Sequence, residues 1–134
     1  MATIADIEGI GPAYAAKLMG AGVETTGDLL ERGSTADGRA VLARSASVSP
    51  KLVLEWVNHA DLLRVAGVGS EYADLLEEAG VDSVPELAQR NAANLHAVLV
   101  AANEAKALVR QLPSEKQVAG WIEEAKGLPR VVTH

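Results

Sequence analysis

The chain has 134 residues, of which 49% are apolar, and a formal net charge of −6. A chain of this length buries roughly two-thirds of its unfolded surface, which is enough for one domain or two small ones without a disulfide or metal. The absence of cysteine excludes a disulfide framework, a thiolate zinc site and a cysteine nucleophile. The acidic balance disfavours sequence-independent attraction to nucleic acid.

The sequence shows no sign of membrane targeting. Its first residues lack a basic region followed by an apolar run, and no apolar stretch approaches the roughly 20 residues of a membrane span. We therefore expect a protein with no membrane partner and a cytoplasmic location.

The first predicted element is a tight glycine hairpin at residues 9–11 that leads into a helix. Its two glycines permit a sharp backbone reversal with positive φ, while Ile10 between them points into the core. On the helix, Tyr14 and Leu18 share one face. Gly22 is predicted to end the helix in the left-handed conformation.

Three further helices are predicted in the first half. Thr25 and Asp28 form a capping box at the start of the second helix, because the hydroxyl and the acid three residues on together satisfy orphan amides. The third helix begins at residues 34–35 and carries Val41 and Leu42. The fourth begins at Ser49 and Pro50 and is expected to bury four residues. They are Val53, Trp56, Val57 and Ala60.

The second half repeats this pattern. Residues 65–90 align with residues 7–32, and residues 114–125 align with residues 49–60, so that Trp121 takes the place of Trp56. Internal duplication explains the match between the two halves much better than chance does. The helix starts in this half are Ser83 with Glu86, Asn91, and Ser114 with Gln117. The apolar residues assigned to its last two helices are Leu95, Val98, Leu99, Val118, Trp121, Ile122 and Ala125.

The periodicity is helical throughout, and no segment shows strand alternation. We therefore predict an all-α chain of two units of about sixty residues each. The predicted boundaries are residues 1–63 for the first unit, 64–128 for the second and 129–134 for a C-terminal tail. The units are expected to pack as one body.

Two short strings carry a family resemblance. They are Gly9-Ile10-Gly11-Pro12 and Gly67-Val68-Gly69-Ser70, and each resembles a helix-hairpin-helix motif. The longer string from Trp56 to Lys126 resembles a bacterial domain family of duplicated helix-hairpin-helix units whose function is unassigned. The resemblance implies two tandem helix-hairpin-helix (SAM-like) units of about four to five short helices each, related by a pseudo-twofold axis.

The resemblance also implies a candidate binding site. In helix-hairpin-helix domains that bind DNA, the hairpin amides and the N-terminus of the next helix hold a backbone phosphate, often beside a Lys or Arg. Pro12 has no amide to offer. The residues that correspond here are Gly9, Ile10, Gly11, Ala13 and Tyr14, with Lys17 one turn further on.

The second hairpin departs from this pattern. Glu71 sits in the first turn of the following helix, and Leu75 replaces the lysine. Acidic neighbours surround this turn, so phosphate binding is disfavoured and a packing role is expected. The residues assigned to this structural hairpin are Gly67, Val68, Gly69 and Tyr72.

The outer faces of the two hairpin helices also differ. The matching residues are Ala13, Ala16, Lys17 and Gly20 in the first copy, and Glu71, Asp74, Leu75 and Glu78 in the second. The second face is mostly charged. The first consists mainly of small residues, so another backbone could approach it closely. We predict that the first face is a contact surface. The alternative is packing against another helix of the chain, or alanine retained for helix propensity.

No constellation of residues indicates an enzyme, a metal or a cofactor. His59 and Asp61 form the single polar cluster at the unit boundary, where capping of a linker is favoured over a metal or acid–base role. Neither Gly-x-Gly matches a dinucleotide fingerprint, because no strand precedes it and the third glycine is missing.

We therefore predict a non-enzymatic binding or scaffolding module whose partner is an unknown protein or its own copy. The main alternative is nucleic-acid binding through the first hairpin, aided by a candidate basic patch of Arg32, Arg39 and Arg44. A weaker alternative is a small-molecule pocket between the units.

Overall fold

The computed structural model describes residues 3–7 and 9–134. Within those residues a 3-10 turn, Ile4–Asp6, precedes eight α-helices, and there is no strand beyond an isolated bridge between Thr3 and Thr25. The prediction of an all-α chain is confirmed. The helices are α1 Pro12–Gly20, α2 Thr26–Gly33, α3 Ala36–Ala46, α4 Pro50–Leu62, α5 Ser70–Glu78, α6 Val84–Ala88, α7 Ala92–Lys106 and α8 Glu115–Gly127.

The chain divides into two compact units. Unit 1 comprises the described residues up to Asp61 together with Val131–His134, and unit 2 comprises Leu62–Arg130. Unit 1 therefore contains a segment that follows unit 2 in the chain. Helices α1 to α3 and nearly all of α4 belong to unit 1, and α5 to α8 belong to unit 2.

Side-chain caps start the helices of unit 1 where the sequence predicts them. The Thr25 hydroxyl accepts the N–H of Asp28 at 3.0 Å, and the Asp28 carboxylate accepts the N–H groups of Glu24 and Thr25, each at 3.1 Å. The Thr35 hydroxyl accepts the N–H of Gly38 at 3.0 Å and begins α3. Each contact satisfies a donor that the helix itself leaves without an acceptor.

Unit 2 uses the same device. Asn91 caps α7 by accepting the N–H of Asn94 at 3.1 Å. Ser114 and Gln117 form a reciprocal capping box on α8, with contacts of 3.1 and 2.8 Å. Ser83 accepts the N–H of Glu86 at 3.4 Å. All three predicted starts are confirmed.

The last helix of each unit supplies much of its core. All eight residues predicted on the inner faces of α4 and α8 are buried. Val41 on α3 and Val98 on α7 are exposed instead, because one residue in a helix turns the side chain about 100° away from its buried neighbour. Leu42 and Leu99 are those buried neighbours.

Candidate functional site

The first hairpin has the backbone conformation that the sequence predicts. Gly9 has φ +89°, a left-handed value that favours glycine, and Gly22 at the end of α1 has the same φ. Ile10 between the hairpin glycines is buried, and its N–H donates to the Ile7 carbonyl at 3.2 Å. Gly11 then caps α1 in an extended conformation.

An aromatic pair lies beneath this hairpin. Trp56 on α4 is 3% exposed, and its ring centroid lies 5.1 Å from that of Tyr14 on α1. The indole Nε1 lies 4.0 Å from the position that a Cβ on Gly9 would occupy. Trp56 is therefore a core residue that supports the hairpin from α4, and its predicted burial is confirmed.

The first turn of α1 leaves backbone N–H groups without a partner inside the helix. The N–H groups of Ala13 and Tyr14 belong to the first turn, which has no intrahelical acceptor for them. A Cβ on Gly11 would meet no atom within 4 Å. The lysine expected nearby points elsewhere, because the Lys17 Nζ lies 3.4 Å from the Ser47 carbonyl at the end of α3. The predicted phosphate site therefore keeps the first-turn amides of α1, whereas the Ile10 N–H is bonded to Ile7 and Lys17 contacts Ser47.

The outer face of α1 is exposed. Ala13, Ala16, Lys17 and Gly20 all lie on the surface. Met19, which the sequence reasoning missed, is 54% exposed. A rotation of 100° per residue places Met19 next to Ala16, so a helical projection of the sequence contained the signal. We call these five residues the α1 face.

Gly20 is not required by the fold. A Cβ at this position would meet no atom within 4 Å, and the residue has no positive φ. Glycine in a helix is about 1 kcal/mol less favourable than alanine. Its presence in the α1 face is therefore not explained by packing within the chain.

The second hairpin has the same construction. Gly67 has φ +88°, and its Cβ position lies 3.2 Å from the Nε1 of Trp121, whose ring centroid is 5.2 Å from that of Tyr72. Val68 between the glycines is buried. The prediction that Leu75 lies on an outer face is wrong, because this side chain is buried in the core of unit 2.

One of the three arginines in the candidate basic patch does not lie on the surface. Arg39 is only 6% exposed and donates to the Gly33 carbonyl at 2.9 Å, and burial lowers the pKa of its guanidinium. It is an interior cation, not a surface one. Arg32 and Arg44 are exposed, and Arg32 donates to the Ala21 carbonyl at 2.9 Å.

His59 and Asp61 lie inside the protein. Both are buried, and both belong to α4, which continues to Leu62. They therefore lie in the last turns of α4, where unit 1 meets the start of unit 2 in the chain.

The fold and the hairpins define a class of protein. It is an all-α chain with two glycine hairpins, each supported by a tyrosine–tryptophan pair from its own unit. The chain belongs to the family described as Domain of unknown function (DUF4332), which it matches over residues 8–128. The predicted membership of a family without an assigned function is thus confirmed.

The other comparisons add no relative with a known activity. No curated protein and no solved structure matches the chain. Across residues 3–7 and 9–134, none of the helices combines the length and the apolar character needed to cross a membrane.

Proposed function

We propose that this protein is a non-enzymatic binding module that uses the α1 face to contact a protein partner or a second copy of itself. The observation that carries the proposal is an exposed helix face on which Lys17 is the single charged residue. Helix faces in contact with water are normally polar. A contiguous apolar surface is a common mark of a protein contact site.

The side chains of the α1 face suit a close helix contact. Ala13, Ala16 and Gly20 are small, so the backbone of another helix can approach α1 closely. Met19 is flexible and polarisable, and it adapts to irregular apolar surfaces. The glycine that the fold does not need is consistent with the same use.

Ala16→Glu tests the proposal, because it places a charge at the centre of the α1 face. Ala97→Glu on α7 is the matched control, since Ala97 is also an exposed helical alanine. Light scattering over a concentration series measures self-association, and capture from native lysate compares bound partners. We expect association or capture to be reduced at least tenfold by Ala16→Glu and unchanged by Ala97→Glu. Equal behaviour of both variants and the native chain would contradict the proposal.

We further infer that the units arose by duplication of a helix-hairpin-helix motif. Three matched features support this. The first glycines of the hairpins have φ +89° and +88°, the glycines after α1 and α5 have φ +89° and +90°, and the tyrosine–tryptophan centroids are 5.1 and 5.2 Å apart. Aligned sequence positions thus have the same local geometry.

The second candidate function is contact with a nucleic-acid phosphate at the first hairpin. The first-turn N–H groups of Ala13 and Tyr14 favour it, since they have no acceptor within the helix and such amides attract anions. The net charge of −6, the burial of Arg39 and the contact of Lys17 with the Ser47 carbonyl weigh against it. Fluorescence anisotropy with single-stranded and duplex DNA over a salt series separates the two functions. Tight binding with a steep salt slope, lost in Lys17→Glu but retained in Lys51→Glu, would replace our proposal.

A further inference from the structure

Unit 1 is completed by a segment that comes from beyond unit 2. This returning segment is Val131–His134. The Thr133 N–H donates to the Ser34 carbonyl at 2.8 Å, and the Thr133 hydroxyl donates to the same oxygen at 3.2 Å. His134 Nε2 lies 3.0 Å from Asn58 Oδ1 on α4.

A buried arginine joins the returning segment to the helices of unit 1. Arg39 on α3 is 6% exposed, and its Nη1 donates to the Gly33 carbonyl while Nη2 donates to the Thr133 carbonyl, each at 2.9 Å. Both acceptors are neutral. If the returning segment left, Nη2 of Arg39 would exchange the Thr133 carbonyl for water, so this protein acceptor is present only while an extended strand occupies the site.

The returning segment is recognised mainly through its backbone. Ser34 and Arg39 bond to the main chain of Thr133, and Val132 is the side chain that is deeply buried, at 2% exposed. Thr133 and His134 are exposed. A site of this kind requires an extended peptide with an apolar β-branched residue followed by a hydroxyl residue. Many peptides other than the chain's own segment meet that requirement.

The returning segment is also short. A segment of four residues can detach by local opening, which costs less than unfolding the whole of unit 1. Another peptide bound in the same way would again offer a carbonyl to Arg39 in place of water. The site can therefore accept one extended strand in exchange for another.

We propose that Ser34, Arg39 and Asn58 form a peptide-binding site on unit 1 that exchanges the returning segment for an extended peptide of the same chemistry from a partner protein. The site shares no residue with the α1 face. Its occupation by a partner would displace Val131–His134 and leave that segment free.

Val132→Asp in the full chain tests the exchange. A carboxylate at a buried position expels the returning segment and leaves the site open. The probe is a fluorescent peptide with the sequence of residues 129–134, blocked at both ends. We expect the variant to bind the probe at least tenfold more tightly than the native chain does, because the native segment competes. Addition of Arg39→Gln is expected to abolish that gain.

A second variant and a second probe serve as controls for this experiment. Thr133→Pro removes the donor to Ser34 without burying a charge, and it is expected to raise probe affinity in the same direction. A probe of the same composition in reversed order is expected to bind at least tenfold more weakly. The proposal fails if both variants fold by circular dichroism and neither binds the probe better than the native chain. It also fails if neither folds, because a segment essential to unit 1 is not exchangeable.

Discussion

Single glycines show how closely the helices of unit 1 approach each other. Gly33 at the end of α2 is buried, and a Cβ there would lie 2.5 Å from the Val57 Cγ2 and 3.5 Å from the Arg39 Cγ. Val57 is itself buried on α4, so a Cβ at position 33 would overlap a side chain of the core. Position 33 therefore requires glycine, which has no Cβ.

Gly33→Ala is expected to destabilise the protein. Overpacking of a core typically costs about 1–3 kcal/mol, which corresponds to a fall in the melting temperature of roughly 4 °C per kcal/mol. Gly20→Ala is the control, because open space surrounds that position and alanine favours helix. Thermal melts followed by circular dichroism should show a lower melting temperature for Gly33→Ala. The melting temperature of Gly20→Ala should be unchanged or raised. A Gly33→Ala protein as stable as the native one would refute the packing argument.

The sequence could not predict contacts between residues that lie far apart in the chain. The sequence placed Arg39 in a surface patch, yet its acceptor on Thr133 is 94 positions away. No local pattern indicates that the chain returns to that point. The placement of Leu75 on an outer face came from its alignment with Lys17, which is exposed, whereas Leu75 belongs to the core of unit 2.

Helix starts, in contrast, were predictable because their chemistry is local. Thr25, Thr35 and Asn91 each bond to a backbone N–H three residues on, and that spacing is visible in the sequence. The α1 face was also predictable from periodicity. What the sequence lacked was the direction of Lys17, which depends on where α3 ends.

The capping box of α2 makes this element sensitive to pH. The backbone N–H of Glu24, followed by that of Thr25, the Thr25 hydroxyl and the charge of Arg32, holds the pKa of Asp28 below its usual value of 3.8. The ionised carboxylate thus stabilises the folded state. This contribution is fully present above the unfolded pKa and is lost as pH falls through the folded pKa.

Asp28→Asn is therefore expected to lower the melting temperature at neutral pH by more than it does in acid. The gap between native and variant proteins should be constant from pH 7 to about 5 and should shrink below about 4. Glu31→Gln removes a carboxylate from the same helix without changing the capping box of Thr25 and Asp28. It should therefore not reproduce this pH dependence of the melting-temperature gap. A gap that persists at low pH would show that the carboxylate charge is not the cause.

At the scale of the whole molecule, each unit contains its own core and one tryptophan. Leu42 and Trp56 are buried in unit 1, while Leu99 and Trp121 are buried in unit 2. Each tryptophan contacts the tyrosine of its own hairpin helix, so its fluorescence reports the packing of that hairpin. The chain therefore provides one spectroscopic probe for each unit.

Leucine truncation in each core tests whether the hairpins depend on the cores that we assign to them. Leu99→Ala should cost about 2–5 kcal/mol, since it deletes a fully buried side chain. Urea unfolding followed in a Trp56→Phe background, where Trp121 is the single emitter, should show a lowered midpoint. Leu42→Ala should lower the Trp56 midpoint in a Trp121→Phe background for the same reason. An unchanged Trp121 midpoint in Leu99→Ala would mean that the second hairpin is held by something other than the core of unit 2.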